Sequence, residues 1–149
     1  MLSEMVDLAK KLYEGNFSVR IIHENDSYGH LHYDSYVPYA DVVTDSFLRE
    51  LGFSHKFLLT ERGVCLIHHG GKSKNSKELV KYDDVDVNLE VSLRRGIILE
   101  LKYKFEKNGE DVFSYNSKWA FVDAKTKKPI LAPDFFLDAL KQKARKRKG

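Results

Sequence analysis

Between residues 85 and 121, apolar and polar residues alternate with a period of two through three consecutive segments. The apolar positions run from Val85 to Leu93, from Ile97 to Phe105 and from Phe113 to Phe121. Arg94-Arg95-Gly96 predicts a turn after the first segment, and Asn108-Gly109 predicts a hairpin turn after the second. Because successive side chains of a strand point to opposite faces, the pattern predicts long antiparallel strands with one buried face.

A long amphipathic helix is available to cover that face. Apolar residues recur at helical spacing from Tyr36 to Leu51, after a possible N-cap at Asp34 or Ser35, and Gly52 supplies a stop. The other predicted elements are a helix over 3–14, a strand over 17–22, a strand over 62–73 and a helix over 134–146. We therefore predict an α+β fold in which a long central helix is wrapped by a curved antiparallel sheet of about five strands, with helices at both ends.

Charge is distributed unevenly along the 149 residues. The last nine, KQKARKRKG, hold six basic and no acidic residues, and the rest of the chain has 19 basic residues against 22 acidic ones. We expect one domain over 1–140 and a basic tail over 141–149. The tail could contact nucleic acid, but a solvated helix end is the simpler interpretation, so nucleic acid is not an expected partner.

Several classes of protein are disfavoured by composition. No apolar run approaches the roughly 18 residues that span a bilayer, and the charged N-terminus is unlike a secretory signal, so we expect a cytoplasmic protein. The single cysteine, Cys65, lies in the apolar run VCLI and is expected in the core rather than as a nucleophile. His68 and His69 should point to opposite faces of their strand, and no zinc spacing is present, so no metal is expected.

The most polar segment of the chain lies directly before the central helix. Residues 23–41 read HENDSYGHLHYDSYVPYAD, with three histidines and four tyrosines. The N-terminus of a helix offers unpaired N–H groups that can hold a developing oxyanion. A carboxylate just before it can attack a carbonyl or activate water without a metal. The segment therefore favours acyl-transfer chemistry.

This segment resembles the loop of the hotdog-fold acyl-CoA thioesterases of the 4-hydroxybenzoyl-CoA thioesterase type. The family has an acidic-x-Asp-x-x-Gly loop between a strand and the central helix, and residues 24–36 here read ENDSYGHLHYDSY. The resemblance continues, in order, through RELG at 49–52, LVKYDD at 79–84, FVD at 121–123 and the prolines at 129 and 133. It covers residues 17 to 135.

The resemblance implies hydrolysis of an acyl-CoA thioester, with no cofactor beyond the coenzyme A of the substrate. Asp26 matches the essential carboxylate, as nucleophile or general base, and Gly29 permits the tight turn. Tyr33 matches the residue whose backbone N–H polarises the thioester carbonyl. One subgroup has a histidine in place of Tyr33 and a tyrosine in place of Ile22, so His30 or His32 would have to supply any imidazole.

Other roles are implied with less detail. The resemblance places family sites between subunits, so we expect a homodimer or a tetramer. Asp41 is a second candidate carboxylate, because some relatives take their acid from the central helix. Tyr36 is a core or substrate-contacting residue, and with Tyr28, Tyr33 and Phe57 it could line an acyl pocket. Basic residues suited to the phosphates of coenzyme A are Lys72, Lys74, Lys77, Arg94 and Arg95.

Two alternatives to a thioesterase remain open. A non-catalytic acyl-CoA-binding or regulatory hotdog protein would explain the absence of the side-chain histidine and tyrosine. A nucleic-acid-associated protein would use the basic tail, and its binding would weaken steeply with salt.

Overall fold

The computed structural model describes residues 10–22, 37–75, 79 and 82–148, apart from the side chains of Asn75 and of residues 145–148. Eight elements are present in this part of the chain. They are β1 (Lys10–Arg20), α1 (Val37–Glu50), α2 (His55–Arg62), β2 (Val64–Asn75), β3 (Asp84–Arg94), β4 (Ile98–Lys107), β5 (Glu110–Asp123) and α3 (Asp134–Lys148). No helix among the described residues is long and apolar enough to cross a membrane.

The five strands form one antiparallel sheet in the order β1-β3-β4-β5-β2. The predicted turns at 94–96 and 108–109 connect β3 to β4 and β4 to β5, and Gly96 and Gly109 have the positive φ that such turns require. Alternation sorts the side chains onto two faces. The inner face, which includes Leu89, Tyr103 and Tyr115, is buried, and the outer face is polar.

The central helix α1 packs on the inner face, as its apolar spacing predicts. Its buried residues are Tyr39, Ala40, Val43, Thr44, Phe47 and Leu48. Phe47 lies 5.1 Å from the ring of Tyr13 on β1, and both belong to the main core cluster. The α+β prediction with a long helix against a five-stranded antiparallel sheet is therefore confirmed.

The N-terminal helix predicted over 3–14 is wrong for residues 10–14, which belong to β1; residues 3–9 lie outside the described residues. A bulge between Lys11 and Tyr13 breaks the alternation of β1 and makes its apolar spacing resemble that of a helix. Gly15, interpreted from the sequence as a helix stop, lies inside β1. A glycine is needed there because the Tyr13 ring crosses it and leaves no room for a Cβ.

The helix α2 and the exposure of Cys65 also differ from the sequence prediction. The side chain of Ser54 accepts a hydrogen bond from the Phe57 N–H at the start of α2, and Gly63, with φ of 64°, ends it. Eight residues give too few turns for a clear apolar face. Cys65 is partly exposed rather than buried, because Val64 and Leu66 take the inner-facing positions of β2.

Candidate functional site

The predicted catalytic segment lies outside the described residues, but the residues that flank it on both sides are described. Asp26, Gly29, His30, His32, Tyr33 and Tyr36 are not described, nor are Asp34, Ser35 and Lys77. The described chain before the segment ends at Ile22, two residues beyond β1, and α1 is described from Val37. A strand before the segment and the central helix after it, the flanks that the predicted site requires, are therefore present.

The two ends of this segment are held against each other. The backbone N–H of Ile22 donates to the Tyr39 hydroxyl at 2.8 Å, and Tyr39 is buried in the first turn of α1. Ile21 is fixed in turn, because its N–H donates to the carbonyl of Asp83 at 2.9 Å. Tyr39 is therefore a core residue, as the apolar spacing from Tyr36 to Leu51 predicts, and its hydroxyl anchors the backbone at Ile22.

A group of polar side chains lies between α1 and the inner face, close to the start of the helix. We call Asp41, Thr44, His68, Tyr103 and Tyr115 the α1 polar cluster. The Thr44 hydroxyl hydrogen-bonds the Tyr103 hydroxyl and also donates to the carbonyl of Ala40 at 2.9 Å. The Tyr115 hydroxyl and His68 Nε2 are 3.2 Å apart. Thr44 thus joins α1 to Tyr103 on β4, and Tyr115 on β5 is joined to His68 on β2.

The two tyrosines of the cluster are neutral hydrogen-bonding groups. Burial raises the pKa of Tyr103 to about 12, although hydrogen bonds with Thr44 and Ser117 partly oppose the rise. Burial also raises the pKa of Tyr115, and the nearby charge of Asp41 adds to the effect. Both hydroxyls therefore keep their protons at neutral pH. Because Thr44 donates to the Ala40 carbonyl, the single Tyr103 proton is donated to Thr44 Oγ1.

Asp41 is the charged member of this cluster on α1. The residue as a whole is exposed, yet partial desolvation of its carboxylate raises the pKa, and Asp45 one turn later adds to the rise. The charges of His68 and His55 act in the opposite direction. Carboxylates with raised pKa values beside histidines are typical of functional sites, although structural charge networks produce them too.

Aromatic rings connect the cluster to α2. The Trp119 ring lies 4.9 Å from that of His68 and 5.9 Å from that of His55, and its indole N–H donates to the Ser117 hydroxyl at 2.9 Å. Gly71 is required beside this group, since a Cβ there would lie 2.6 Å from the Tyr115 hydroxyl oxygen. Within the described part of the chain, no three His, Cys, Asp or Glu side chains are arranged to hold a metal ion.

Most of this cluster could not be predicted from the sequence. Asp41 was a candidate, but the sequence pattern placed Tyr115 and Trp119 only on a buried face and His68 only in a strand. The pairing of His68 with Trp119 depends on the register of β2 against β5, which residues far apart in sequence determine. Phe57, considered for an acyl pocket, packs 6.0 Å from Phe53.

The predicted coenzyme A residues lie mainly on the outer face. Lys72 and Arg94 line one depression of about 480 Å³, and Lys74 lines a neighbouring one of similar size. Arg94 Nε donates to Glu100 Oε1 at 2.7 Å, and Arg95 occupies the β3–β4 turn with φ of 57°. The structure therefore brings Lys72 and Arg94 together in one depression, while Lys74 lines the neighbouring depression and Arg95 lies in the turn.

Solved structures of thioesterases share this fold. The 1,4-dihydroxy-2-naphthoyl-CoA thioesterase from Synechocystis superposes with a TM-score of 0.78 at 11% identity, covering 85% of this chain and 95% of that one. A gentisyl-coenzyme A thioesterase gives 0.72 at 19% identity, covering 85% and 99%. The DHNA-CoA thioesterase from Staphylococcus aureus gives 0.72 at 18% identity, covering 91% of both chains.

These likenesses define the fold of the chain as the hotdog fold, as the sequence resemblance predicts. No family model matches the sequence, and no curated protein matches it. At identities below 20%, the three structures establish the architecture of the chain and not its activity.

Proposed function

We propose that this protein is an acyl-CoA thioesterase that hydrolyses the thioester to a free acid and coenzyme A. The observation that carries the proposal is the position of the ENDSYGHLHYDSY segment, which enters from β1 of a hotdog fold and leads into the central helix. Proteins of the same fold with thioesterase names support the reaction class.

The mechanism assigns Asp26 as nucleophile or general base. Either its oxygen attacks the thioester carbonyl carbon to give an anhydride that water then hydrolyses, or it accepts a proton from an attacking water. The carbonyl oxygen gains negative charge, and the backbone N–H near Tyr33 stabilises it, an interaction worth about 3 kcal/mol in comparable sites. The C–S bond then breaks, the electron pair leaves on sulfur, and the thiolate takes up a proton.

The remaining loop residues position these groups. Gly29 permits the turn that brings Asp26 to the helix N-terminus, and His30 or His32 supplies an imidazole where the proton of the leaving thiol is needed. Tyr36 contacts the acyl group or the core beside it. Of the described residues, Asp41 is the second candidate carboxylate, because it lies on α1 next to His68 and has a raised pKa.

Substrate binding and assembly complete the proposal. Lys72, Lys74, Arg94 and Arg95 are proposed to attract the phosphates of coenzyme A, and no other cofactor is required. The site is proposed to be completed by a second copy of the chain, in a dimer or a tetramer.

The test is a free-thiol release assay on short, long and aromatic acyl-CoAs with the wild type, Asp26→Asn and Asp138→Asn. Asp138 is an exposed carboxylate on α3 and provides the matched control. Turnover of at least one substrate that is lost in Asp26→Asn and kept in Asp138→Asn is the expected result. Wild-type rates in Asp26→Asn would reject the assigned carboxylate.

A non-catalytic acyl-CoA-binding protein is the second candidate. It is favoured by Ile22 and Tyr33, which stand where one subgroup of the family has tyrosine and histidine. The same panel separates the two functions, because tight binding of an acyl-CoA with no thiol release on any member would select the binding protein.

A further inference from the structure

The outer face carries a group of three lysines, of which the proposed function uses only Lys72. Lys72, Lys102 and Lys118 are exposed and line the same depression of about 480 Å³. Lys72 and Lys102 are the two cross-strand partners of Asn116, and Lys118 is two residues further along β5. Directly opposed Cβ atoms lie about 5 Å apart. The Cβ atoms of Lys72 and Lys102, on either side of Asn116, are therefore about 10 Å apart.

These lysines are not neutralised by their neighbours. Glu90 lies opposite Lys102, but the Glu90 carboxylate pairs with Lys11 at 3.3 Å. Glu100 lies opposite Lys118, but it pairs with Arg94 at 2.7 Å. Among the described residues, no carboxylate lies within 4.0 Å of any of the three ammonium groups.

Three other cations of the sheet illustrate the contrast, because each of them is paired. Lys104 lies 3.5 Å from Asp111, Lys107 lies 3.0 Å from Asp83, and Arg20 lies 2.8 Å from Asp84. The chain without its last nine residues has a net charge of −3. A local excess of three positive charges on an otherwise acidic domain is therefore a specific feature of this depression.

The backbone shapes the same place. The register of β2 against β5 shifts between His68 and Gly71, so His69 and Gly70 together oppose Lys118. Gly70 has φ of 112°, a conformation that other residues rarely adopt. The bulge places His69 and Gly71 in the wall of the depression, while Asn116 contributes an amide donor to it.

We propose that this outer lysine site, formed by Lys72, Lys102 and Lys118, binds a compact phosphate-bearing anion. A phosphate ester carries about two negative charges at neutral pH, so a diphosphate or bisphosphate matches three lysines better than a single carboxylate does. The adjacent depression holds Glu14, Glu90 and Asp111 beside its lysines, so the excess positive charge does not continue along the face as a long polyanion such as nucleic acid would need. The anion is either the phosphorylated end of coenzyme A, an assignment that rests on the proposed function, or a free diphosphate or bisphosphate.

Calorimetric titration with adenosine 3′,5′-bisphosphate, coenzyme A and inorganic pyrophosphate tests the site. Lys102→Gln combined with Lys118→Gln should weaken binding about tenfold or more. Lys104→Gln combined with Lys107→Gln removes the same charge from paired lysines on the same strand and should leave binding unchanged. Tighter binding of coenzyme A and the bisphosphate than of pyrophosphate supports coenzyme A as the source of the anion. Binding of pyrophosphate without binding of coenzyme A supports a free diphosphate or bisphosphate.

Two results would overturn the inference. One is the absence of wild-type binding to all three probes at millimolar concentration, and the other is an equal loss in both double variants. Hydrolysis of an acyl-N-acetylcysteamine thioester, which has no phosphate, separates this outcome from the proposed activity. That hydrolysis should be equal in the wild type and in Lys102→Gln/Lys118→Gln, and its absence in every variant would count against the thioesterase and not against the anion site.

Discussion

The two faces of the sheet treat polar groups in opposite ways. On the inner face, the buried Tyr103 hydroxyl hydrogen-bonds Thr44 and Ser117, and the Tyr115 hydroxyl hydrogen-bonds His68. On the outer face, most charges are paired, but three lysines around Asn116 are not. Buried polar groups must be satisfied locally, whereas exposed charges can be left for a ligand. The comparison suggests chemistry on one face and anion binding on the other.

The largest expected effect is on the inner face. Phe47→Ala removes a ring that packs fully buried against Tyr13 and should lower the free energy of unfolding by about 3–5 kcal/mol. Ile67→Ala changes an apolar residue that is 45% exposed on β2 and should cost much less. Urea denaturation of both variants measures the difference, and equal losses would contradict the assignment of one buried face.

Gly71→Ala should displace Tyr115, a member of the α1 polar cluster. The new Cβ would overlap the Tyr115 ring, so the ring must move and its hydrogen bond with His68 must break. Overpacking of this kind costs about 1–3 kcal/mol. Thermal denaturation gives the stability loss, and thiol release gives the effect on turnover. Retention of wild-type stability would show that Tyr115 does not lie over Gly71.

Tyr103→Phe should cost about 1 kcal/mol, because it removes a hydroxyl while Thr44 keeps its bond to the Ala40 carbonyl. The Tyr103 absorbance titration sharpens this prediction. With its pKa raised to about 12, Tyr103 should be missing from the tyrosinate signal that appears near pH 10. A wild-type titration identical to that of the Phe variant up to pH 11 is expected, and an extra tyrosinate in the wild type would contradict the burial.

The smallest expected effect is a gain in stability. A carboxyl whose folded pKa lies above its unfolded value destabilises the folded state once pH rises above the unfolded value, here 3.8. Asp41→Asn should therefore raise the melting temperature slightly at pH 7, and the gain should shrink as pH falls toward 4. The control is Asp45→Asn. Asp45 is exposed, and its substitution removes the same i,i+4 repulsion between the Asp41 and Asp45 carboxylates. A lower melting temperature for Asp41→Asn at pH 7 would contradict the raised pKa.

The sheet and the central helix could be predicted from sequence because each depends on a local period. Alternation from Val85 to Phe121 and the turns at Gly96 and Gly109 predict three strands with nearly correct bounds. The pattern failed where a bulge shifted it, at Lys11 to Tyr13, and where an element was too short, in α2.

The candidate site was predictable only where it is contiguous in sequence. The loop from Glu24 to Tyr36 is one motif, so the proposed role of Asp26 needed no structure. The contact of Tyr115 with His68 and the grouping of Lys72 with Lys102 both depend on the pairing of β5 with its neighbours. No local pattern determines that register, so these contacts could not be predicted from the sequence.

The most direct test of the account is thiol release from the best acyl-CoA substrate, measured side by side for the wild type, Asp26→Asn, Asp41→Asn and Asp138→Asn. We expect turnover that is abolished in Asp26→Asn, reduced in Asp41→Asn and unchanged in Asp138→Asn, with all four proteins folded by circular dichroism. Undiminished turnover in Asp26→Asn would contradict the proposed chemistry at the start of the central helix.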